Sequence, residues 1–452
     1  MYTCAMDRQQ KLVLTVCILA SFVAFLDSSI INVALPAIVR DLGGGLAAQQ
    51  WIVDAYLITL GSLILLAGSL SDLFGRKKIL IAGLVGFGAT SLLCAVAPNS
   101  LFLIIARGLQ GMAGALIVPS SLALIMSSFE GEAKGKAIGT WTGWTGISFI
   151  IGPLLGGLLI DSGSWRWIFA INILPIAITL WLMRSLGAEK TSEKVKVDVI
   201  GAILGIIGLG GPVYALIEQS NFGWGSPSIY LPLSIGALAF ALFLWHENQA
   251  KNPMLPLGLF EQRNFTAGNL ATVAIYGGLS LATFLISVFL QQVGKFTAVQ
   301  AGLALMPVTI IMFFLSGRFG ALAGKFGPRL FMTVGPLVAA LGFLTMIRVE
   351  QHVSYASQLL PGVLLFGLGL SITVAPLTTA ILGAISTRQS GIGSAVNNAV
   401  SRVAGLVAIA FVGVIIGPTL NLHGFRRGII VIAAMLAAGG LISAVGITNK
   451  KI

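Results

Sequence analysis

The sequence predicts an all-α integral membrane protein whose fourteen transmembrane helices form two pseudo-symmetric six-helix bundles and an inserted helix pair. Three observations support this fold class: an apolar composition, repeated apolar segments of membrane length, and an internal repeat. Of the 452 residues, 56% are hydrophobic and only 9% are charged, and the mean hydropathy is +0.96. Soluble globular domains have about a quarter of their residues charged, so the composition excludes that class.

Apolar segments of about 20 residues, the length that crosses about 30 Å of hydrocarbon as a helix, recur along the whole chain. Each segment ends at a cluster of charged residues, proline or glycine. The first is too closely followed by others to be a cleaved signal segment. The predicted spans are 12–34, 51–71, 79–97, 101–126, 137–160, 166–184, 199–218, 229–246, 266–290, 300–322, 331–347, 356–382, 391–416 and 428–447.

The internal repeat aligns GSLSDLFGRK (68–77) with GALAGKFGPR (320–329). Identical residues coincide at Gly68/Gly320, Leu70/Leu322, Phe74/Phe326 and Gly75/Gly327. Parallel halves of six helices each are a recurring membrane architecture, and the spans 199–218 and 229–246 are then surplus between the halves. The predicted units are a first bundle at 1–186, an inserted pair with its linkers at 187–264, and a second bundle at 265–452.

The basic residues are distributed unevenly between the two sides of the predicted membrane. Of the 27 Lys and Arg residues, eighteen lie in the segments on the same side as the termini, six lie opposite, and Arg107, Arg318 and Arg402 lie inside spans. Positive charge is enriched on the cytoplasmic side, so both termini are expected in the cytoplasm, with the chain integral to the cell membrane. This asymmetry explains the net charge of +12, and no nucleic-acid partner is expected.

Other chemistries lack their residue patterns. Cys4, Cys17 and Cys94 have no paired spacing, so neither a disulfide nor a metal site is predicted. The chain has no phosphate-binding GxxxxGK[ST] motif, since Glu130 and Ala137 occupy the wrong positions around Gly135 and Lys136. No grouping of acid, nucleophile and base appears in the spans. We therefore expect neither an enzyme nor a bound cofactor.

Several stretches, taken in order, identify a family resemblance. They are LDSSIINVALP (26–36), GSLSDLFGRKK (68–78), RGLQG (107–111), the glycines and proline of the fifth span, WRWIFAINILP (165–175) and FLQQVGKFTAVQAGLALMP (289–307). Together they resemble the fourteen-helix drug:proton antiporters of the major facilitator superfamily, which include quaternary-ammonium efflux proteins. The resemblance covers nearly the whole chain. It implies a chain that is embedded in the lipid bilayer and works as a monomer. Such a chain exports amphipathic, cationic or neutral small molecules by alternating access, with protons as the coupling ion.

Three positions depart from the family pattern. Leu73 stands where many relatives have a basic residue, Ser148 replaces a glycine of the antiporter motif, and Gly324 leaves the second-half loop without an acid. We expect the first departure to weaken a cytoplasmic latch, a contact that the resemblance implies across the gap between the halves, and the second to alter helix packing.

Three charged residues in the spans are candidates for proton or cation coupling. A charged carboxylate near the bilayer centre costs roughly 2.5 to 3.5 kcal/mol on insertion scales, so Asp27 is expected to face protein or water and to exchange a proton for cargo. Asp54 lies just inside the end of the second span, where the resemblance implies contact with a departing cation. Arg107 lies too deep in the fourth span to reach the interface and is expected to pair with a carboxylate or backbone carbonyls.

Further residues are assigned to the cavity, the seam between the halves, and a latch. Gln110 is expected to hydrogen-bond within the RGLQG stretch, and Asn398 and Arg402 to line the cavity from the thirteenth span. Small residues permit close helix crossing or a kink, which predicts a hinge-like seam at Gly152, Pro153, Gly156 and Gly157. The resemblance implies a cytoplasmic latch that holds the outward-facing state closed inside; its residues are Asp72, Gly75, Arg76 and Lys77.

Alternatives remain open at this stage. Asp27 could be a structural acid capped by hydroxyls, Asp54 an interfacial acid, and Arg107 part of a static ion pair. The basic latch residues could be simple anchors, and the small residues of the fifth span a plain tight-packing motif. At the level of function, the rivals are a proton-coupled uptake symporter on the same fold and a membrane receptor or scaffold that transports nothing.

Overall fold

The computed structural model describes residues 7–187, 197–250, 253–350, 352–386, 389–417 and 419–449. Most of the first predicted linker (188–196), together with Lys251, Asn252 and Arg388, lies outside these residues. In the described part the chain is helical without strands, and thirteen helices are long and apolar enough to cross a membrane. The predicted fold class and the positions of the spans are confirmed, whereas the predicted unit boundaries stay predictions.

The first bundle begins with four long helices and a fifth that carries the glycine-rich stretch. The bounds are α1 Arg8–Leu42, α2 Gly45–Phe74, α3 Arg76–Ala95, α4 Ser100–Ser128, α5 Gly131–Ser162, α6 Trp167–Ala170 and α7 Ile173–Met183. The sixth predicted span is thus interrupted between α6 and α7. Pro175 explains the interruption, because it has no N–H to donate to the carbonyl one turn earlier.

The remaining helices are the inserted pair and the second bundle. Their bounds are α8 Val199–Phe222, α9 Pro227–Gln249, α10 Arg263–Gln292, α11 Ala298–Ala304, α12 Met306–Phe326, α13 Pro328–Thr345, α14 Leu360–Leu382, α15 Ser390–Ala410, α16 Val412–Ile416 and α17 Leu422–Gly446. Helices α11 and α12 together correspond to the tenth predicted span. Pro307 lies directly after the break between them. Short 3₁₀ segments lie at Leu257–Glu261 and Met346–Arg348, and a π-helical turn at Tyr355–Leu359 precedes α14.

The two bundles repeat the same packing. In the first bundle α1 packs on α5, α2 on α4, and α3 on α4; in the second, α10 packs on α15, α12 on α14, and α13 on α14. The aligned glycines also share a backbone shape, since Gly75 between α2 and α3 has φ +95° and Gly327 between α12 and α13 has φ +88°. Only glycine adopts such values readily, so the internal repeat is a repeat of structure.

The inserted pair packs on the first bundle through α2, with smaller contacts to α15 and α16. At one end, Trp51 Nε1 donates to Glu218 Oε1 of α8 at 2.8 Å. At the other end, Asp198 caps α8 and accepts from His246 Nε2 of α9 at 2.9 Å. Glu218 therefore anchors α8 to α2.

Many large apolar side chains face outward, as expected for helices that contact lipid. Trp181 is 67% exposed, Leu238 62% and Val445 75%. The start of α1 at Arg8 and the end of α17 at Gly446 lie at the same end of the molecule, which we call the terminal end, and the opposite end is the far end. The chain is an integral membrane protein.

Candidate functional site

Asp27, Arg107 and Gln110 form a buried polar network inside the first bundle. Arg107 Nη1 donates to Asp27 Oδ2 at 2.6 Å and to Gln110 Oε1 at 2.7 Å, and Gln110 Nε2 donates to Asp27 Oδ1 at 3.0 Å. Asp27 and Gln110 are 0% exposed and Arg107 is 1% exposed. Gln110 lies one turn beyond Arg107 on α4, so the RGLQG spacing directs both side chains toward α1.

Two further polar residues complete the network, and sequence reasoning missed both. Asn172 Nδ2 donates to Asp27 Oδ1 at 3.1 Å and to Ser91 Oγ at 3.3 Å, and Ser91 Oγ also accepts from Gln110 Nε2 at 2.9 Å. Asn172 lies at the break between α6 and α7. Arg107 and Gln110 of α4 and Asn172 at this break therefore bind the carboxylate that α1 supplies, and Ser91 of α3 supports Gln110 and Asn172.

The ring of Tyr56 lies against the network and next to the centre of the molecule. The Arg107 guanidinium is 4.3 Å from the centroid of that ring, and Arg107 Nε donates to the carbonyl of Ile52 at 3.1 Å. Such cation–π contacts contribute more when water is excluded. Arg107 thus pairs with both a carboxylate and a backbone carbonyl, and α2 supplies the aromatic ring as well as the carbonyl.

A small cavity lies between the two bundles beside Tyr56. Phe25, Ser28 and Tyr56 line it from the first bundle, and Asn398 and Arg402 from the second. It has room for about one water molecule. The Arg402 guanidinium is 5.7 Å from the centroid of the Phe25 ring, and Arg402 Nε has no hydrogen-bond partner among the described residues.

Asn398 and Arg402 thus line this cavity, whereas the neighbouring Asn397 faces the interior of the second bundle. Asn397 Nδ2 donates to Asn269 Oδ1 at 3.1 Å and to Thr272 Oγ1 at 2.9 Å, within the second bundle. Asp27 does not line the cavity itself, because Ser28 and Tyr56 of the same region occupy its wall. The side chains of Ser28 and Tyr56 thus lie between the cavity and the Asp27 carboxylate.

Asp54 is completely buried at the contact between α2 and α15. It is 0% exposed, and neither carboxylate oxygen has a hydrogen-bond partner among the described residues. One turn before it, Gln50 Nε2 donates to the carbonyls of Ile409 and Ala410. Two turns after it, a Cβ at Gly61 would lie 3.5 Å from Val403 Cγ2. Asp54 thus lies on the face of α2 that contacts the second bundle.

The glycine-rich stretch of α5 packs on both bundles at once. A Cβ at Gly152 would lie 1.9 Å from Ser29 Oγ of α1, and one at Gly156 would lie 2.4 Å from Ile30 Cγ1. One position further along the helix, a Cβ at Gly157 would lie 2.5 Å from Val299 Cα of α11. The small residues of this stretch therefore allow close contact of α5 with α1 on one side and with α11 on the other.

Pro153 belongs to the face of α5 that contacts the second bundle. A Cβ at Gly302 of α11 would lie 2.4 Å from the Pro153 carbonyl oxygen. Two turns beyond, Asp161 Oδ1 and Oδ2 accept from the backbone N–H groups of Ala298 and Val299 at 3.1 and 2.9 Å. Pro153, Gly157 and Asp161 thus form a stripe that joins α5 to α11.

Other hydrogen bonds between the bundles also lie in the far half of the molecule. Ser287 Oγ donates to the carbonyl of Asn32 at 3.0 Å, and Gln291 Nε2 donates to the carbonyl of Val33 at 2.9 Å. In the terminal half of α5, by contrast, a Cβ at Gly143 or Gly146 would meet no atom within 4 Å. Among the described residues, the hydrogen bonds between the bundles therefore lie toward the far end, and α5 has no close neighbour at Gly143 or Gly146 toward the terminal end.

The predicted latch residues lie at the terminal end, where α2 meets α3. Asp72 Oδ1 and Arg76 Nη2 are 3.4 Å apart, with side-chain exposures of 45% and 25%. Lys77 Nζ donates to the carbonyl of Leu186, after α7, and Gly75 supplies the turn with its positive φ. The Asp72–Arg76 pair joins α2 to α3 within the first bundle, so it does not test the predicted latch across the seam.

Comparisons with known proteins agree on one family. A sequence model described as Major Facilitator Superfamily matches residues 17–409. The chain is 34% identical to the multidrug resistance protein Stp of Mycobacterium tuberculosis (strain CDC 1551 / Oshkosh) over 92% of this chain and 78% of that one. It is 35% identical to the methylenomycin A resistance protein of Bacillus subtilis (strain 168) over 89% and 87%. The crystal structure of a D-xylose-proton symporter superimposes with a TM-score of 0.70 at 14% identity, covering 98% of this chain and all of the other.

Proposed function

Because the chain belongs to the Major Facilitator Superfamily, we propose that it is a proton-coupled efflux transporter of amphipathic, cationic or neutral drugs or metabolites. The observation that carries this proposal is the network around Asp27, in which a carboxylate inside the membrane is bound by Arg107, Gln110 and Asn172. Intramembrane acids of this kind mark proton pathways. The names of the relatives, multidrug and methylenomycin A resistance proteins, support export of such compounds.

The chemical role of Asp27 follows from its surroundings. A carboxylate that holds an arginine through one oxygen and two amide donors through the other keeps the helices α1 and α4 together. Protonation of Asp27 removes the charge that pairs with Arg107 and frees the guanidinium to move toward Tyr56 and the cavity. A proton taken up or released at Asp27 thereby changes the wall that cargo touches.

Asp54, Asn398 and Arg402 complete the proposed cycle. Asp54 carries a second proton or meets the cation on its way out, since its buried carboxylate has no hydrogen-bond partner among the described residues and is costly while charged. Asn398 and Arg402 contact cargo from the second bundle. The bundles move relative to each other at the α2–α15 and α5–α11 contacts, and the latch residues Asp72, Gly75, Arg76 and Lys77 close the terminal end in the opposite state.

The orientation of the chain comes from its charges. The eighteen basic residues on the side of the termini support a terminal end on the cytoplasmic side of the cell membrane. The conformation with a closed far end is then inward-facing. We further propose that a single chain suffices for transport, since the cavity is lined by both of its own bundles.

The test is transport in proteoliposomes with an imposed pH gradient. Asp27→Asn is expected to abolish proton-driven efflux while the variant remains folded in the membrane. A matched control, Asp41→Asn, removes an acid of the same helix whose partner Arg166 lies at the far surface, and it should retain exchange. Wild-type exchange by Asp27→Asn contradicts the proposal, cargo that moves in the same direction as protons favours the symporter, and no flux at all favours a receptor or scaffold.

A further inference from the structure

A large apolar chamber lies beside the central cavity, under the inserted pair. It has a volume of about 580 Å³, is partly open to its surroundings, and is lined by residues of α2, α8, α9, α10, α15, α16 and α17. The segment before α10 closes one end through Met254 and Leu255, and Glu247 Oε2 holds that segment by accepting from the N–H of Leu255 at 2.9 Å. Ligand-binding cavities of 300 to 1,000 Å³ are typical for small organic molecules.

The lining of the chamber defines what can occupy it. Its side chains are aliphatic, aromatic or methionine, apart from the glycines and Ser62. Ser62 is 8% exposed, and its hydroxyl has no hydrogen-bond partner among the described residues. A charged ligand group would lose its hydration here without gaining a partner, at a large cost in free energy. A single hydrogen-bonding group of a neutral ligand would pair with the Ser62 hydroxyl. The chamber thus suits an uncharged, mostly hydrocarbon molecule with one polar atom.

The depth of Ser62 discriminates between a lipid and a mobile compound. Ser62 lies near the middle of α2 (Gly45–Phe74), which crosses the membrane, so its hydroxyl is near the hydrocarbon midplane. A phospholipid has its ester and phosphate oxygens at the interface and only methylene groups at the midplane. An unpaired hydroxyl at that depth therefore matches a neutral compound dissolved in the bilayer better than a lipid chain.

Only a thin wall separates the chamber from the central cavity. Gly61 and Ser62 of α2 line the chamber, whereas Leu60 and Ile64 line the cavity. A Cβ at Gly61 would lie 3.5 Å from Val403 Cγ2 and 3.8 Å from Arg402 Cβ of α15. Because α2 and α15 belong to different bundles, a rocking motion separates the two sides of this wall.

We propose that the chamber is a staging site for neutral, carbonyl- or hydroxyl-bearing apolar compounds that arrive through the bilayer and pass to the central cavity between α2 and α15. The inserted pair then has a defined role: it shields the α2–α15 seam from lipid and forms the outer wall of this site. The proposal rests on the proposed efflux function for the step after binding, although binding itself can be measured without transport.

The experiment measures binding of Nile red, an uncharged carbonyl-bearing dye, by fluorescence to the protein in lipid nanodiscs. Gly205 is the position for a filling substitution, since its Cβ would lie 3.8 Å from Ser62 Cβ and point into the chamber. We expect Gly205→Phe to weaken saturable dye binding at least tenfold. Ser62→Ala should weaken it about three- to tenfold, the worth of one hydrogen bond. Leu238→Trp, on the lipid-facing side of α9, should leave it unchanged.

Several outcomes would overturn the staging site. One is equal dye binding by wild type and a folded Gly205→Phe; another is no saturable binding by wild type. A loss with Gly205→Phe but none with Ser62→Ala would make the chamber a lipid-chain site and also refute the proposal. Should Gly205→Phe fail to give folded protein by gel filtration, Leu209→Trp, one turn along α8 in the same lining, serves with the same expectation.

Transport of the cation tetraphenylphosphonium separates this proposal from the function on which it rests. Export of the cation by wild type and Gly205→Phe alike, with dye binding lost only in the variant, supports both proposals. Export with dye binding unaffected by the substitution removes the staging site alone. Dye binding without any proton-driven flux of either compound removes the efflux function and leaves the binding site.

Discussion

The guanidinium of Arg107 lies 2.6 Å from the carboxylate of Asp27, and both side chains are almost completely buried. Breaking such a pair by removing one partner costs about 3–5 kcal/mol, because the other charge is left without compensation. The pair is also enclosed by neutral hydrogen-bond partners, Gln110 and Asn172. A pair of this kind couples the ionisation of one residue to the packing of two helices.

We therefore predict a strong energetic coupling between Asp27 and Arg107. Arg107→Gln alone should destabilise the protein by several kcal/mol, whereas the double variant Asp27→Asn/Arg107→Gln should be clearly more stable than the sum of the single effects. Thermal unfolding of the four proteins in detergent measures the coupling. The partly exposed pair Asp72 and Arg76 provides the comparison cycle, for which near-additive effects are expected. Additive effects in the buried pair would contradict the prediction.

A second prediction concerns the charge moved in each cycle. Exchange of one proton for one monovalent cation is electroneutral, whereas protons carried on both Asp27 and Asp54 make the exchange electrogenic. We expect Asp54→Asn to fold normally, since no partner in the described structure is lost, and to convert a potential-driven transport of tetraphenylphosphonium into one that responds to pH alone. Transport driven by a potassium diffusion potential at uniform pH measures the change. Undiminished potential-driven transport in the variant would exclude a second proton on Asp54.

The helices could be predicted from the sequence because each span must satisfy its own backbone within the lipid. Apolar length and the charges at its ends then fix the position of a span. The alignment of Gly75 with Gly327 likewise predicted a structural repeat, and both glycines have the positive φ that a turn between consecutive helices requires. The interruption at Asn172 was not foreseen, although Pro175 was a usable signal.

The partners within the candidate site were less predictable. Burial of Arg107 required a carboxylate or carbonyl nearby, and that argument led to the right kinds of partner. Asn172 and Tyr56 were missed because a neutral amide or a phenol inside an apolar segment costs little and is common in packing. Their role depends on which helices are neighbours, and no local pattern records that. Asp161 was missed for the same reason, since its partners are backbone N–H groups of the other bundle.

A third prediction uses the backbone contact between α5 and α11. A Cβ at Gly157 would lie 2.5 Å from Val299 Cα, a separation that forces the helices apart, so Gly157→Ala should shift the population toward states open at the far end. Spin labels on α5 and α11 should report longer distances by double electron–electron resonance. Gly146→Ala, where a Cβ meets no atom within 4 Å, is the matched control and should leave the distances unchanged. Unchanged distances in Gly157→Ala would refute the role of this seam.

The fourth prediction concerns Asp161 of α5. Its carboxylate accepts hydrogen bonds from two backbone N–H groups at the start of α11, which belongs to the other bundle. An acid next to the first N–H groups of a helix is stabilising, and salt screens the interaction when it is exposed. Asp161→Asn should therefore raise the far-open population about two- to fivefold at low salt, and high salt should reduce the difference from wild type. The same spin-label distances measure this population.

The control for Asp161 is Asp41, a second acid at the far end. Asp41 Oδ2 binds Arg166 Nη1 at 2.6 Å and Trp165 Nε1 at 2.9 Å, and all three residues belong to the first bundle. Loss of the Asp41 carboxylate changes contacts inside the first bundle. It does not favour either the open or the closed position of the second bundle. Asp41→Asn should accordingly lower thermal stability slightly and leave the spin-label distances at their wild-type values. A far-open shift in Asp41→Asn equal to that in Asp161→Asn would mean that surface charge in general, and not the bond across the seam, holds the far end closed.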